Sequence, residues 1–215
     1  MNKKTLIVLI GILIIACIAI SGFFLLNKGN NTNDKLNDNS LNQKETEEAK
    51  QDVLEKNDKK VLVAYFSYSG NTQIMAKEIA SQTNAFLFEI ETDKEYKDLT
   101  NEAKEEIEKN ERHNLLKKVE NINEYDIIFV GFPIWWHSTP VQINTFLEAH
   151  NLDGKIVIPF CTSGGSDISE AMDSFKSSCK NCTVLDGLTM SGSSASTDSG
   201  KKMITDWIKS LGIFE

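Results

Sequence analysis

The residues best suited to chemistry are Ser67, Tyr68, Ser69, Gly70, Asn71 and Thr72, which place three aliphatic hydroxyls, a side-chain amide and a glycine in six consecutive positions. An apolar run precedes them and an amphipathic stretch follows, so they join a strand to the start of a helix. The first turn of a helix has unpaired N–H groups and a dipole that favours negative charge, which suits a phosphate. The hydroxyls add donors, and Gly70 lets the backbone come close. No Lys or Arg lies in the loop. A cradle of neutral donors suits a terminal monophosphate that is held rather than transferred. The plainer reading, Ser69 as a helix cap and Gly70 as the relief of a turn, uses one hydroxyl of the three.

Two further stretches carry unusual side chains. Residues 131–140 (GFPIWWHSTP) set Trp135 and Trp136 side by side between Pro133 and Pro140. Two adjacent indoles are costly to expose and difficult to bury together, so a flat aromatic ligand stacked on one and walled by the other accounts for both. Packing at a corner of the core is the alternative. Residues 161–166 (CTSGGS) bring Ser163, Gly164 and Gly165, whose open backbone N–H groups suit the polar edge of a ring.

These loops need a frame. Residues 61–66 (VLVAYF) have the continuous apolar character of a strand buried on both faces. Residues 85–90 predict a second strand, 125–131 a third, 155–160 a fourth and 183–190 a weaker fifth. Between them, 99–109 predicts a charged surface helix, 141–149 a helix opening after Pro140, and about 166–176 another; 199–211 closes the chain. This alternation predicts an α/β fold with a doubly wound parallel sheet. In such sheets ligands bind beyond the carboxyl ends of the strands. The three loops all follow strands, so they converge on that edge.

SYSGNT resembles the phosphate loop T/S-x-T/S-G-x-T of the flavodoxins. PIWW followed by HSTP, and then CTSGGS, resemble the two flavin-contacting loops of the bacterial flavodoxin-like domain family. The resemblance runs from about residue 59 to the C-terminus. It implies a five-stranded sheet of order 2-1-3-4-5 and non-covalent FMN. By it, Ser67, Tyr68, Ser69, Gly70, Asn71 and Thr72 hold the phosphate. Pro133, Ile134, Trp135 and Trp136 line the isoalloxazine, and Thr162, Ser163, Gly164 and Gly165 its pyrimidine edge. His137, at the rim, could hydrogen-bond flavin or substrate, or stand by as a bystander. The sequence departs from soluble flavodoxins in having neither an acidic residue nor a tyrosine in CTSGGS.

The 215 residues suffice for one domain plus appendages. Lys3 and Lys4 precede 6–26, 21 residues without a charge. At ~1.5 Å per residue such a helix reaches about 30 Å, the thickness of a bilayer core. The lysines would stay in the cytoplasm and place the remainder outside. Ile14-Ile15-Ala16-Cys17 also has the pattern of a lipoprotein box, with Cys17 acylated. The apolar run continues past that cut, which favours an uncleaved anchor. Residues 27–58 are polar and form a flexible tether of roughly 30 Å, leaving 59–215 as the FMN-binding domain.

A net charge of −8 argues against nucleic acid as a partner. GxGxxG and GxxxxGK[ST] are missing, and His113, His137 and His150 are not spaced as metal ligands. Cys179 and Cys182 form a CxxC after a helix rather than before one, which favours an incidental or structural disulfide over a catalytic dithiol. Cys161 is expected to be packed. The expected function is a redox protein moving electrons at the outer face of the membrane, with an unidentified protein partner or small substrate. An NAD(P)H- or quinone-dependent FMN reductase and a non-catalytic FMN-binding module are the alternatives.

Overall fold

A computed structural model describes residues 59–214. The expected anchor (1–26, with Cys17) and tether (27–58) lie outside them. Among the described residues no helix is long and apolar enough to cross a membrane.

The strands are β1 (Val61–Tyr65), β2 (Phe86–Glu89), β3 (Ile127–Pro133), β4 (Ile156–Ser163), β5 (Thr183–Val184) and β6 (Leu188–Ser191). The helices are α1 (Asn71–Thr83), α2 (Leu99–Lys109), α3 (Val141–Ala149), α4 (Met172–Ser178) and α5 (Asp198–Ser210). All ladders are parallel, in the order β2-β1-β3-β4-β5, with β6 also paired to β4. This is the doubly wound order expected.

Side chains alternate across each strand and build two cores. Leu62, Ala64, Ile128 and Val130 face Ile143 and Phe146 of α3 and Phe175 of α4. Val63, Tyr65, Ile127 and Phe129 face Met75 and Ile79 of α1 and Ile204 and Trp207 of α5. Every β1 residue is buried, which is why this strand reads as an unbroken apolar run. Helix α2 belongs to neither core. It buries only Ala103 and, against its charged appearance, Glu106.

Two expectations need correction. The fifth strand is not continuous over 183–190. The Leu185 N–H donates to Val157 O at 3.1 Å, so Val157, and Pro159 two residues on, turn their backbone groups toward this strand. Pro159 has no N–H to give. The ladder breaks opposite it, where a Cβ on Gly187 would lie 2.7 Å from Pro159 O. The helix expected from Ser166 starts later. Asp167 accepts from the Ser169 N–H while Glu170 accepts from the Asp167 N–H, a capping box that opens a 3₁₀ turn, Ile168–Ala171, leading into α4.

Candidate functional site

β3 and β4 run further than expected, because Phe132 and Pro133 stay in register with Cys161 and Thr162. Pro133, Thr162 and Ser163 therefore sit on strand ends rather than on free loops. The hydroxyls of Thr72 and Thr162 lie 2.9 Å apart and are buried, tying the first loop to the third.

Gly70 is the N-cap of α1, at φ 87, and no side chain caps that helix. The left-handed φ explains the glycine, since any other residue would be strained there. Ser69 does not cap; its Oγ accepts from Asn71 Nδ2 at 3.2 Å. The first turn contains no acidic residue to compete with an anion. The Ser67 Oγ is buried without a hydrogen-bond partner among the described residues. An unsatisfied buried hydroxyl costs about 1–3 kcal/mol. An uncapped helix start and an unpartnered hydroxyl three residues before its N-cap both suit phosphate oxygens, so the residues fit the group that the resemblance implies.

The two tryptophans have different surroundings. Trp135 turns inward, edge-on to Phe66 (5.4 Å), Tyr96 (5.6 Å) and Tyr68 (6.0 Å). Trp136 turns outward against α2. Its Nε1–H donates to Thr100 O at 3.1 Å, and the Lys104 ammonium lies 5.3 Å from its ring centroid. Trp135 and Ser138 exchange backbone hydrogen bonds of 3.1 and 2.9 Å around the turn. Both corner residues are left-handed, Trp136 at φ 49 and His137 at φ 60. Such a turn favours Asn-Gly, and left-handed non-glycine residues cost on the order of 1–3 kcal/mol each. Tertiary contacts over-determine it: α2 holds Trp136, and Glu170 holds His137 through Nδ1. Ile134 packs against the core beside β3, its N–H donating to Thr162 O.

In the third loop, Ser163 Oγ accepts from the Gly165 N–H at 3.1 Å and the Ser166 N–H at 2.7 Å. Of the two glycine N–H groups expected to be open, that of Gly165 is thus already engaged. Nothing lies within 4 Å of a Cβ placed on Gly164 or Gly165, so space remains beside this loop for a ring edge.

Several residues of this edge escaped the sequence reading. Tyr96 completes the aromatic wall. Its hydroxyl donates to Glu106 Oε2 at 2.6 Å and accepts from Gln142 Nε2 at 2.6 Å. Burial first, and then Glu106, raise its pKa, so the phenol stays protonated. Lys94 Nζ stands 3.1 Å from Glu106 Oε1 and compensates its charge, and His113 Nε2 lies 3.3 Å from the same oxygen. A fourth loop follows β6: Gly192–Ser196 packs against α1, with Gly192 facing Asn71 Nδ2. Its signal was available, because a serine-rich stretch after the fifth strand must lie on the same edge.

Elsewhere the cysteines and histidines are structural. Cys161 is buried, and burial pushes its thiol up to about 12, so it is inert as a nucleophile. Cys179 and Cys182 form a disulfide at the amino end of β5, the opposite edge of the sheet. His150 spends both ring nitrogens on the backbone of Phe146 and Val119.

The family model for flavodoxin matches residues 60–211. A candidate flavoprotein from Bacteroides uniformis is 35% identical, with 70% of this chain and 98% of that one covered and a TM-score of 0.63. A second, from Bacteroides eggerthii, is 34% identical, with coverage of 71% and 98% and a TM-score of 0.61. A flavoprotein from Lactobacillus acidophilus, solved in complex with FMN, is 26% identical, with 61% and 93% covered and a TM-score of 0.54. No curated protein matches the chain. The matched span runs from the first strand into the last helix and carries the sheet order described above; the chain belongs to the flavodoxin family.

Proposed function

We propose that this chain is an FMN-binding redox protein, tethered by its N-terminal segment and moving electrons at the outer face of the membrane. The buried, unpartnered Ser67 hydroxyl, in the loop that leads into the uncapped start of α1, is the observation that carries the cofactor assignment. Ser67, Ser69, Asn71, Thr72 and the first-turn N–H groups of α1 hold the phosphate. Trp135 and Tyr68 flank the ring, and the Thr162–Gly165 segment meets its polar edge. Bound FMN supplies one- and two-electron chemistry; the protein binds it, orients it and limits access by water. Family membership and the FMN complex of the Lactobacillus acidophilus relative support this reading. The outer-face location rests on the uncharged run at 6–26 behind Lys3 and Lys4.

A reductase acting directly on small acceptors is the second reading, favoured by the His137–Glu170 pair at the rim. Anaerobic visible spectroscopy of the purified full chain separates the two. A yellow protein bleached by NADPH or NADH is a reductase. One that stays yellow until dithionite is added is a carrier awaiting a protein donor. A protein that neither carries nor takes up flavin contradicts both.

A further inference from the structure

We infer that His137 is a proton donor for a flat two-electron acceptor of the quinone class, with Glu170 and Ser166 as its positioning residues. The inference rests on the FMN-binding reading and specifies what the same site reduces. His137 lies between the second and third loops, the two that border the ring. Glu170 Oε2 engages Nδ1, and Ser166 Oγ lies 3.2 Å from the same nitrogen. Nε2 makes no hydrogen bond among the described residues, and the side chain is 73% exposed.

The carboxylate is placed independently of the histidine. Glu170 Oε1 accepts from the Asp167 N–H at 2.9 Å, closing the capping box and leaving Oε2 for the imidazole. The bond from the Asp167 N–H, and then the His137 contact, hold the Glu170 carboxyl below its ordinary range. A histidine oriented through one nitrogen by an ionised carboxylate, with the other nitrogen free, is the arrangement used for general acid–base work.

Stability alone does not explain this geometry. Exposed polar side-chain pairs contribute little, yet the His137–Glu170 contact accompanies two consecutive non-glycine residues in left-handed conformations. A carrier passing single electrons to a protein needs no proton donor at its rim; a quinone does. Its reduction to a quinol consumes two electrons and two protons. FMN held by the Ser67–Thr72 loop and Trp135, and recharged by a nicotinamide, would supply both electrons and one of the protons. The Nε2–H of the protonated imidazole, His137 in its imidazolium form, gives the other to the quinone oxygen, which leaves the neutral Nδ1–H ring facing Glu170, and solvent reprotonates Nε2. The exposed ring of Trp136, 47% accessible and adjacent to His137 in the chain, offers a flat acceptor apolar surface.

The test uses the full chain in detergent, loaded with FMN and reduced anaerobically with dithionite, then mixed with p-benzoquinone or with ferricyanide, which takes electrons without protons. In His137→Gln, oxidation by the quinone slows about 100-fold, the lower range for loss of a general acid, while ferricyanide oxidation and FMN affinity are unchanged. Imidazole ¹⁵N NMR of the ligand-free chain reads the positioning role without turnover. The neutral ring is Nδ1–H in the wild type. In Glu170→Gln, where Oε1 keeps the cap and the amide faces Nδ1, it becomes Nε2–H. Equal rates with both acceptors in wild type and H137Q, a parallel loss with both, or an unchanged tautomer in E170Q overturns this proposal alone. A chain that binds no FMN overturns it together with the reading it rests on.

Discussion

The loop from Ser67 to Gly70 and the turn from Trp135 to Ser138 border one site but are held in opposite ways. The first is local: a buried strand ends, a left-handed glycine turns, and a helix starts with its N–H groups exposed. Its neighbours in sequence set its backbone course, while the Tyr68 ring within it packs on the distant Tyr96 and Trp135. The turn is imposed from a distance, by α2 through Thr100 and Lys104 and by the capping box before α4 through Glu170. A locally determined cradle suits a constant task, gripping a phosphate. A turn braced by two other elements can hold strained residues that meet whatever approaches the ring, because the strain is paid for elsewhere.

The contrast can be broken from either side. Trp135→Ala has the largest expected effect. It removes the ring shared by Phe66, Tyr68 and Tyr96, and costs about 2–3 kcal/mol of unfolding free energy, toward the lower end for a large aromatic because this one is only partly buried. Chemical denaturation measures it, and a shift in the bound flavin's visible bands should accompany it. A change confined to FMN affinity would place Trp135 in the local class instead.

Ser67→Ala should act with opposite signs on the two states. FMN affinity falls roughly 10–100-fold, as expected for loss of a hydrogen bond to a charged group. The ligand-free protein is unchanged or slightly more stable, because an unsatisfied buried hydroxyl has gone. Calorimetry with FMN and denaturation without it report the two halves separately. Equal losses in both would mean that the hydroxyl has a structural partner.

His150 gives the smallest effect and a control remote from both loops. Burial lowers its pKa below the ordinary 6.5. The unfolded chain then takes up the proton more readily, so the contribution to stability is complete above about pH 6.5 and is lost as pH falls through the lower folded value. Melting temperatures from pH 8 to 5 should show this loss in the wild type and a flatter profile in His150→Asn. FMN affinity at pH 8 should not differ between them.

The same division explains what was legible in the sequence. Strands β1, β3 and β4 are apolar on both faces, and SYSGNT carries its own turn and helix start, so the parallel sheet and the strand–loop–helix unit could be read from residues in succession, while the sheet order followed from the family resemblance. The missing parts depend on residues distant in the chain. Pro159 lies in β4 but breaks the strand beside it. Tyr96 follows no periodic pattern and reaches the site because Glu106 and Gln142 hold its hydroxyl. Glu106 itself looks like one more charge on a solvated helix, yet it is buried at 4% exposure. The adjacent tryptophans suggested a shared pocket; with Trp136 itself left-handed, the two rings meet different neighbours.

The most direct test of the central claim is titration of the ligand-free full chain with FMN and, in parallel, with riboflavin, followed by flavin fluorescence. FMN should bind saturably, one to one, and riboflavin more weakly by at least about tenfold, since the cradle proposed at Ser67 to Thr72 would grip the phosphate that riboflavin lacks. Failure to bind FMN, or equal affinity for the two flavins, would contradict that claim.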